Sequence, residues 1–305
     1  MQRRDFFKFM GATGALLTGS TIQAADHKSK IDENNVVGVL TDFTECIGCR
    51  ECEWACKDAH NMATPDLESY KDKSVFSEYR RPDETGFTVV NRFHEKGCNQ
   101  TDLDVKVQCM HCNDPACVSA CIVGALEKQD FGPVTYDAWK CIGCRYCMVA
   151  CPFQIPAYEY DNALNPIVAK CDMCVTRLDD GKVPACVEIC PRNALTFGKR
   201  ADLINLAHEK IADNPEKYIN HVYGETELGG TSWLFISCEP FEQTKFPKLE
   251  EASVVTLPES IQHGIFKYFI PPAMWFGLLG MIMHLSKPKD KSPDEVEKHA
   301  EVHHE

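Results

Sequence analysis

The sequence predicts an α+β fold in which short strands and helices surround clustered cysteines. Two observations carry that prediction. Sixteen of the 18 cysteines in 305 residues fall into four quartets at short, regular intervals. Around them the apolar runs are brief: strand-like stretches at Val36–Leu40, Phe87–Val90, Pro133–Tyr136, Ala194–Phe197 and Trp233–Ile236, and one helical pattern over Ala201–Ala212. The apolar fraction of 44% and the charged fraction of 25% are those of a globular chain and exclude wholesale disorder. The length suits about two domains of roughly 150 residues each. A net charge of −13 argues against a nucleic-acid partner, which needs a basic face.

The quartets are Cys46, Cys49, Cys52 and Cys56; Cys109, Cys112, Cys117 and Cys121; Cys141, Cys144, Cys147 and Cys151; and Cys171, Cys174, Cys186 and Cys190. The first and third read C-x2-C-x2-C-x3-C, the second widens to C-x2-C-x4-C-x3-C, and the fourth carries an 11-residue insert between Cys174 and Cys186. Disulfides compete poorly for this spacing, because three cysteines at two-residue intervals share one tight loop and cannot pair off locally. Zinc is a second reading, but four ligands suffice for it and a third cysteine at the same interval has no task. A 4Fe–4S cluster does need three thiolates from one loop and a fourth from elsewhere, and the run C-x2-C-x2-C-x3-C-P supplies its last cysteine to a neighbouring cluster.

That exchange of the fourth ligand makes motifs work in pairs. Quartets two and three, with 19 residues between Cys121 and Cys141, form an inner pair, which leaves quartet one to pair with quartet four. The fold expected is therefore two nested bacterial-ferredoxin-like units holding four 4Fe–4S clusters. The expected ligand sets are Cys46, Cys49, Cys52 and Cys190; Cys56, Cys171, Cys174 and Cys186; Cys109, Cys112, Cys117 and Cys151; and Cys121, Cys141, Cys144 and Cys147. Cys98 and Cys238 have no partner at ligand spacing and are expected to be ordinary thiols, a disulfide between them in an oxidising compartment being the alternative that sequence alone does not support.

Both ends carry targeting signals. Arg3 and Arg4, followed by Phe6, Phe7 and Lys8, precede a Gly- and Ala-rich run from Phe9 to Leu17 and small residues at Ala24 and Ala25. This is the pattern of a twin-arginine export signal. That route carries folded proteins, as a chain loaded with its clusters before reaching an oxidising compartment requires. Near the other end, Tyr268–Ser286 runs 19 residues without a charge, about 28 Å as a helix, against a hydrocarbon core of about 30 Å. Lys287, Lys289 and Lys291 follow it and only Lys267 flanks it before, which places the C-terminus in the cytoplasm. The organisation expected is a signal peptide over 1–25, a four-cluster domain over 26–200 with an insert at 57–108, an extension over 201–262 packed on it, a transmembrane helix over 267–286 and a polar cytoplasmic tail over 287–305. The protein would then sit on the periplasmic face of the inner membrane.

No Gly-rich nucleotide loop, P-loop, nucleophile elbow or H-E-x-x-H occurs. His60, His94 and His111 are expected to make hydrogen bonds only. With sixteen thiolate ligands no cluster keeps an open iron, so no catalytic residue is expected and the chain reads as a conductor of electrons.

The runs Gln108-Cys109-Met110-His111-Cys112 and Cys141-Ile142-Gly143-Cys144-Arg145-Tyr146-Cys147, with the four-quartet plan, resemble the four-cluster ferredoxin subunits of respiratory oxidoreductases. That family includes the β subunits of formate dehydrogenase, dimethyl sulfoxide reductase and polysulfide reductase. The ends, with Gly14–Gly19, Phe246-Pro247-Lys248-Leu249 and Ile261-Gln262-His263 before a single apolar segment, are similar to the hydrogenase-2 branch. Lys57 and Ile122 depart from the family, which often has proline after the fourth cysteine. The resemblance implies electron relay between periplasmic nickel–iron hydrogenase subunits and a quinone-reactive membrane subunit. A molybdopterin catalytic partner is the alternative it leaves open.

Overall fold

The computed structural model describes residues 35–93, 102–162, 166–255, 268 and 270–286. The export segment, Cys98, His94 and the tail from 287 lie outside the described residues. Contacts divide the chain into two units, Met1–Ala252 and Ser253–Glu305.

In the first unit the central element is β1, Val37–Asp42, whose residues are buried from Gly38 onward. It pairs antiparallel with β8, Leu195–Lys199, and parallel with β9, Trp233–Ile236, to give the order β8-β1-β9. Strand side chains alternate between faces, so Val39 joins Phe43, Trp233 and Phe235 in one core while Leu40 joins Leu234 and Ile236 in another. Both faces being covered explains why β9 is the unbroken apolar run Trp-Leu-Phe-Ile. One cover is the helix Arg200–Asp213, which buries Leu203, Ala207 and Ile211, four residues apart on one stripe. The Trp233 indole N–H donates to Thr41 Oγ1 at 2.8 Å, so the one polar atom of that buried ring is satisfied.

The remaining sheets are two-stranded: β2 (Val89–Phe93) with β3 (Leu103–Val107), β4 (Leu126–Lys128) with β5 (Val134–Tyr136), and β6 (Ala157–Tyr158) with β7 (Val168–Ala169). Helices are short. In chain order they are α1 (Glu51–Ala59), α2 (Ala116–Ser119), α3 (Tyr146–Ala150), α4 (Val175–Asp179), α5 (Ala185–Glu188) and α6, the Arg200–Asp213 helix.

The strand expected at Phe87–Val90 starts at Val89 and continues to Phe93. The turn before it, at Glu84-Thr85-Gly86, is closed by Asp83, whose carboxylate accepts from the Thr85 N–H at 2.8 Å.

In the second unit the apolar segment forms α7, Ile270–Leu285, of 16 residues. Pro271 and Pro272 occupy its first turn, where a missing N–H costs little. It is shorter than the span expected from Tyr268. Among the described residues no helix is long and apolar enough to cross a membrane.

Candidate iron–sulfur sites

All four C-x2-C loops adopt one backbone conformation. The residue before the second cysteine is left-handed in each: Gly48 at φ 61°, His111 at 48°, Gly143 at 67° and Met173 at 61°. Glycine does this at no steric cost, and at Gly48 a side chain would also meet the Asp104 carboxyl at 2.6 Å. His111 is held there by tertiary contacts instead. It is fully buried, and its Nδ1 accepts the Val134 N–H at 2.9 Å. Met173 is equally buried in the main core.

A second left-handed residue, Arg50, Arg145 or Cys174, then turns the chain into α1, α3 or α4. In quartets two and four a proline, Pro115 or Pro184, leads instead into α2 or α5, each with the sequence Ala-Cys-Val in its first turn. Each quartet thereby sends three thiols to one side and its fourth to another.

The tertiary grouping follows from this. Cys46, Cys49, Cys52 and Cys190 line one cavity with Thr41, Lys106 and Leu195. Cys121, Cys141, Cys144 and Cys147 line another with Leu126, Tyr136 and Val168. Cys171, Cys174 and Cys186 face Cys56, and Cys112, Cys117 and Cys151 face Cys109. Electrostatic neighbours between sets run in sequence: Cys52 lies near Cys186, Cys171 near Cys109, and Cys117 near Cys147. The four sets therefore stand in a row.

The donor chemistry fits a thiolate-ligated inorganic group. All sixteen cysteines are free. Burial pushes the Cys46, Cys117 and Cys174 thiols up to about 12 and that of Cys147 to about 11, so a bound cation has to supply the stabilisation their thiolates lack. Two buried side-chain donors in the second quartet's loop, Gln108 Nε2 and His111 Nε2, have no protein partner, an arrangement costly unless an acceptor sits there. Backbone N–H groups already point at sulfur: Ala125 to Cys121 at 3.1 Å, and Gly143 to Cys141 and Met173 to Cys171, both at 3.4 Å. Such hydrogen bonds tune a cluster's potential.

His60 shares one hydrogen bond with Asp172 Oδ1 at 2.9 Å and another with the Cys56 carbonyl at 2.7 Å, and lies with Asp172 and Cys174 in a group of metal-ligating atoms. Cys174 already belongs to the second set, so His60 and Asp172 brace that set from outside. One expectation is corrected: Cys238 is not an ordinary thiol but is disulfide-bonded.

Sequence reasoning missed three lysines. Lys106 and Lys170 are 2% and 4% exposed, and Lys128 is buried enough that desolvation holds its ammonium down to about 8. Lys170 donates to the carbonyls of Val134 and Cys171, and Lys128 to those of His111 and Gly132. Lys106 and Lys128 lie on β3 and β4 and Lys170 directly follows β7, none of them in a run that the sequence marks as a strand.

Comparison with known proteins agrees with this geometry. Residues 103–200 match the 4Fe-4S dicluster domain family. A Nitratidesulfovibrio vulgaris protein is 43% identical across 95% of this chain and 78% of its own length. The hydrogenase-2 operon protein HybA of Escherichia coli O157:H7 is 36% identical across 94% of this chain and 96% of its own. A formate dehydrogenase iron–sulfur subunit of Haemophilus influenzae is 31% identical across 100% of this chain and 94% of its own. The chain therefore belongs to the family of 4Fe–4S iron–sulfur electron-transfer subunits of respiratory oxidoreductases.

Proposed function

We propose that the chain holds four 4Fe–4S clusters, one in each cysteine set, and relays electrons between a periplasmic nickel–iron hydrogenase and a quinone-reactive membrane subunit. The observation that carries this is the row of four all-cysteine sets, each completed by a thiol from another quartet. When bound, each group supplies a centre for one-electron exchange. The chain's own residues do the rest. The cysteines hold the sites in order, and the aromatic and aliphatic core around Phe43, Trp233 and Phe235 keeps water from the inner ones. The exposed Cys144 loop brings the fourth set to the surface. No residue acts as a catalytic group, and the chain takes its chemistry from partner subunits.

The similarity to HybA over nearly the whole of both chains supports the hydrogenase partner. A second reading, as β subunit of a molybdopterin oxidoreductase of the formate dehydrogenase or dimethyl sulfoxide reductase type, is supported by the similarity of formate dehydrogenase iron–sulfur subunits over the same length. In either case the paired arginines support export by the twin-arginine route. The uncharged 268–286 segment supports a single-pass anchor on the periplasmic face, with the C-terminus in the cytoplasm.

Two measurements test the proposal. Purified protein is expected to be brown, with about sixteen irons per chain; colourless protein containing zinc would overturn it. Subunits co-purified from solubilised membranes are expected to be nickel-hydrogenase subunits, whereas a molybdopterin subunit would establish the second reading.

A further inference from the structure

Lys106 is a cation buried where a protein ordinarily tolerates none. It lies on β3, is 2% exposed, and borders the cavity formed by Cys46, Cys49, Cys52 and Cys190. Its ammonium donates to Gln108 Oε1 at 2.9 Å and stands 4.5 Å from the centre of the Trp233 ring. Among the described residues no carboxylate pairs with it, although the neighbouring strand residue Asp104 is taken by Arg92 at 2.9 Å. A buried charge without an ionic partner is strongly destabilising, so the missing partner has to be something other than a side-chain carboxylate.

The groups facing it are cysteines of two sets. Around its ammonium stand Cys52 of the first set and Cys186, Cys171 and Cys56 of the second. Reciprocally, its charge acts on Cys52 of the first set and Cys186 of the second. The third set faces other cations, Cys112 being near Lys128 and Cys117 near Lys170. The fourth set's Cys147 faces Cys121, Cys141 and Cys144, and the exposed Arg145 borders that set's cavity.

We propose that Lys106 is the countercharge for the first two clusters, placed between them to favour their reduced states over their oxidised ones. This rests on the four-cluster reading above. A thiolate-ligated cluster gains negative charge when reduced, and a cation held in a dry site stabilises that form more than the oxidised one. Trp233 and Gln108 are positioning residues: the ring face and the amide oxygen hold the ammonium in place, and the same hydrogen bond leaves Gln108 Nε2 unpartnered by protein.

The test is an electron paramagnetic resonance redox titration of the complete iron-loaded protein with Lys106→Met, Lys106→Gln and Lys106→Arg. In the neutral variants two of the four clusters are expected to titrate at lower potential while the other two stay in place, and Lys106→Arg is expected to restore the original values. Neutral variants that lose the first two clusters, alongside an arginine variant that keeps them, also support a countercharge. Three outcomes overturn it: unchanged potentials in the neutral variants, an equal shift of all four clusters, or an arginine variant as defective as the methionine one. Iron analysis of the unmutated protein separates this from the parent proposal. Fewer than four clusters there breaks the four-cluster reading, while a full complement with unmoved potentials breaks only the role of Lys106.

Discussion

The pentapeptide Cys-Ile-Gly-Cys-Arg occurs twice, at Cys46–Arg50 and Cys141–Arg145, and the two copies end in different surroundings. Their backbones are nearly the same, with Gly48 and Gly143 at φ 61° and 67° and Arg50 and Arg145 at 66° and 60°. Arg50 is nevertheless 7% exposed and locked between Glu53, at 3.2 Å, and the ring and carbonyl of Tyr70. Arg145 is exposed and lies over Tyr158 and Tyr160 at 5.4 and 5.8 Å. The first copy is roofed by the 57–108 insert and set against the β8-β1-β9 sheet. The second stays open beside Trp139, Ile142 and Val149, which are 97%, 61% and 81% exposed. A ligand loop thus specifies its own turn geometry, while the chain packed over it decides how dry the site is. For an electron relay the division has a use: the first and fourth sites stand at opposite ends of the row, and the open fourth site allows exchange with a partner.

The comparison breaks first at the cysteines. Replacing buried Cys171, which belongs to the main core, by alanine is expected to abolish accumulation of folded protein, because the second set is part of the packing as well as a ligand shell. Replacing exposed Cys144 by serine is expected to leave folded protein lacking about four irons. Iron analysis and circular dichroism of both variants check this. Equal loss of structure in the two would show that the outer site is as integral to the fold as the inner one.

Much of this was legible beforehand, because inorganic ligation leaves a covalent signature in spacing. The quartets follow from where cysteines fall, and β1, β5, β8, β9 and α6 follow from short apolar patterns. Other features were hidden for physical reasons. Leu103-Asp104-Val105-Lys106-Val107 alternates apolar and polar residues, yet all five are buried, since groups distant in sequence cover both faces. His111 and Met173 take left-handed turns that only glycine advertises locally. The disulfide at Cys238 depends on tertiary proximity, which a lone cysteine does not encode.

A smaller effect sharpens the contrast between the arginines. Removing Arg50 takes a partner from buried Glu53, whose remaining contacts are Arg80, at 2.6 Å, and the Val90 N–H, at 2.7 Å. Arg50→Ala is expected to destabilise the loaded protein by about 3 kcal/mol, read as a lowered thermal midpoint. Part of the loss comes from the released carbonyls of Tyr70 and Asp72 in the insert, so proteolysis is expected to cut there first.

The corresponding change in the open copy is expected to do almost nothing, and glycine is the sharper substitution for showing it. At Arg145 the left-handed backbone strains any side chain by roughly 1–2 kcal/mol, and glycine removes that strain. Against this, glycine forfeits about 0.5–1 kcal/mol of chain entropy, and the stacking over Tyr158 and Tyr160 is worth about 0.5 kcal/mol at an exposed site. Arg145→Gly should therefore unfold within about 0.5 kcal/mol of the unmutated protein by these same contributions. At position 50 the backbone contributions are the same, so Arg50→Gly should remain clearly destabilised. The difference between the two glycine variants isolates what the insert adds to one copy of a shared loop, and equal stabilities would mean that the roof over the first site contributes nothing to it.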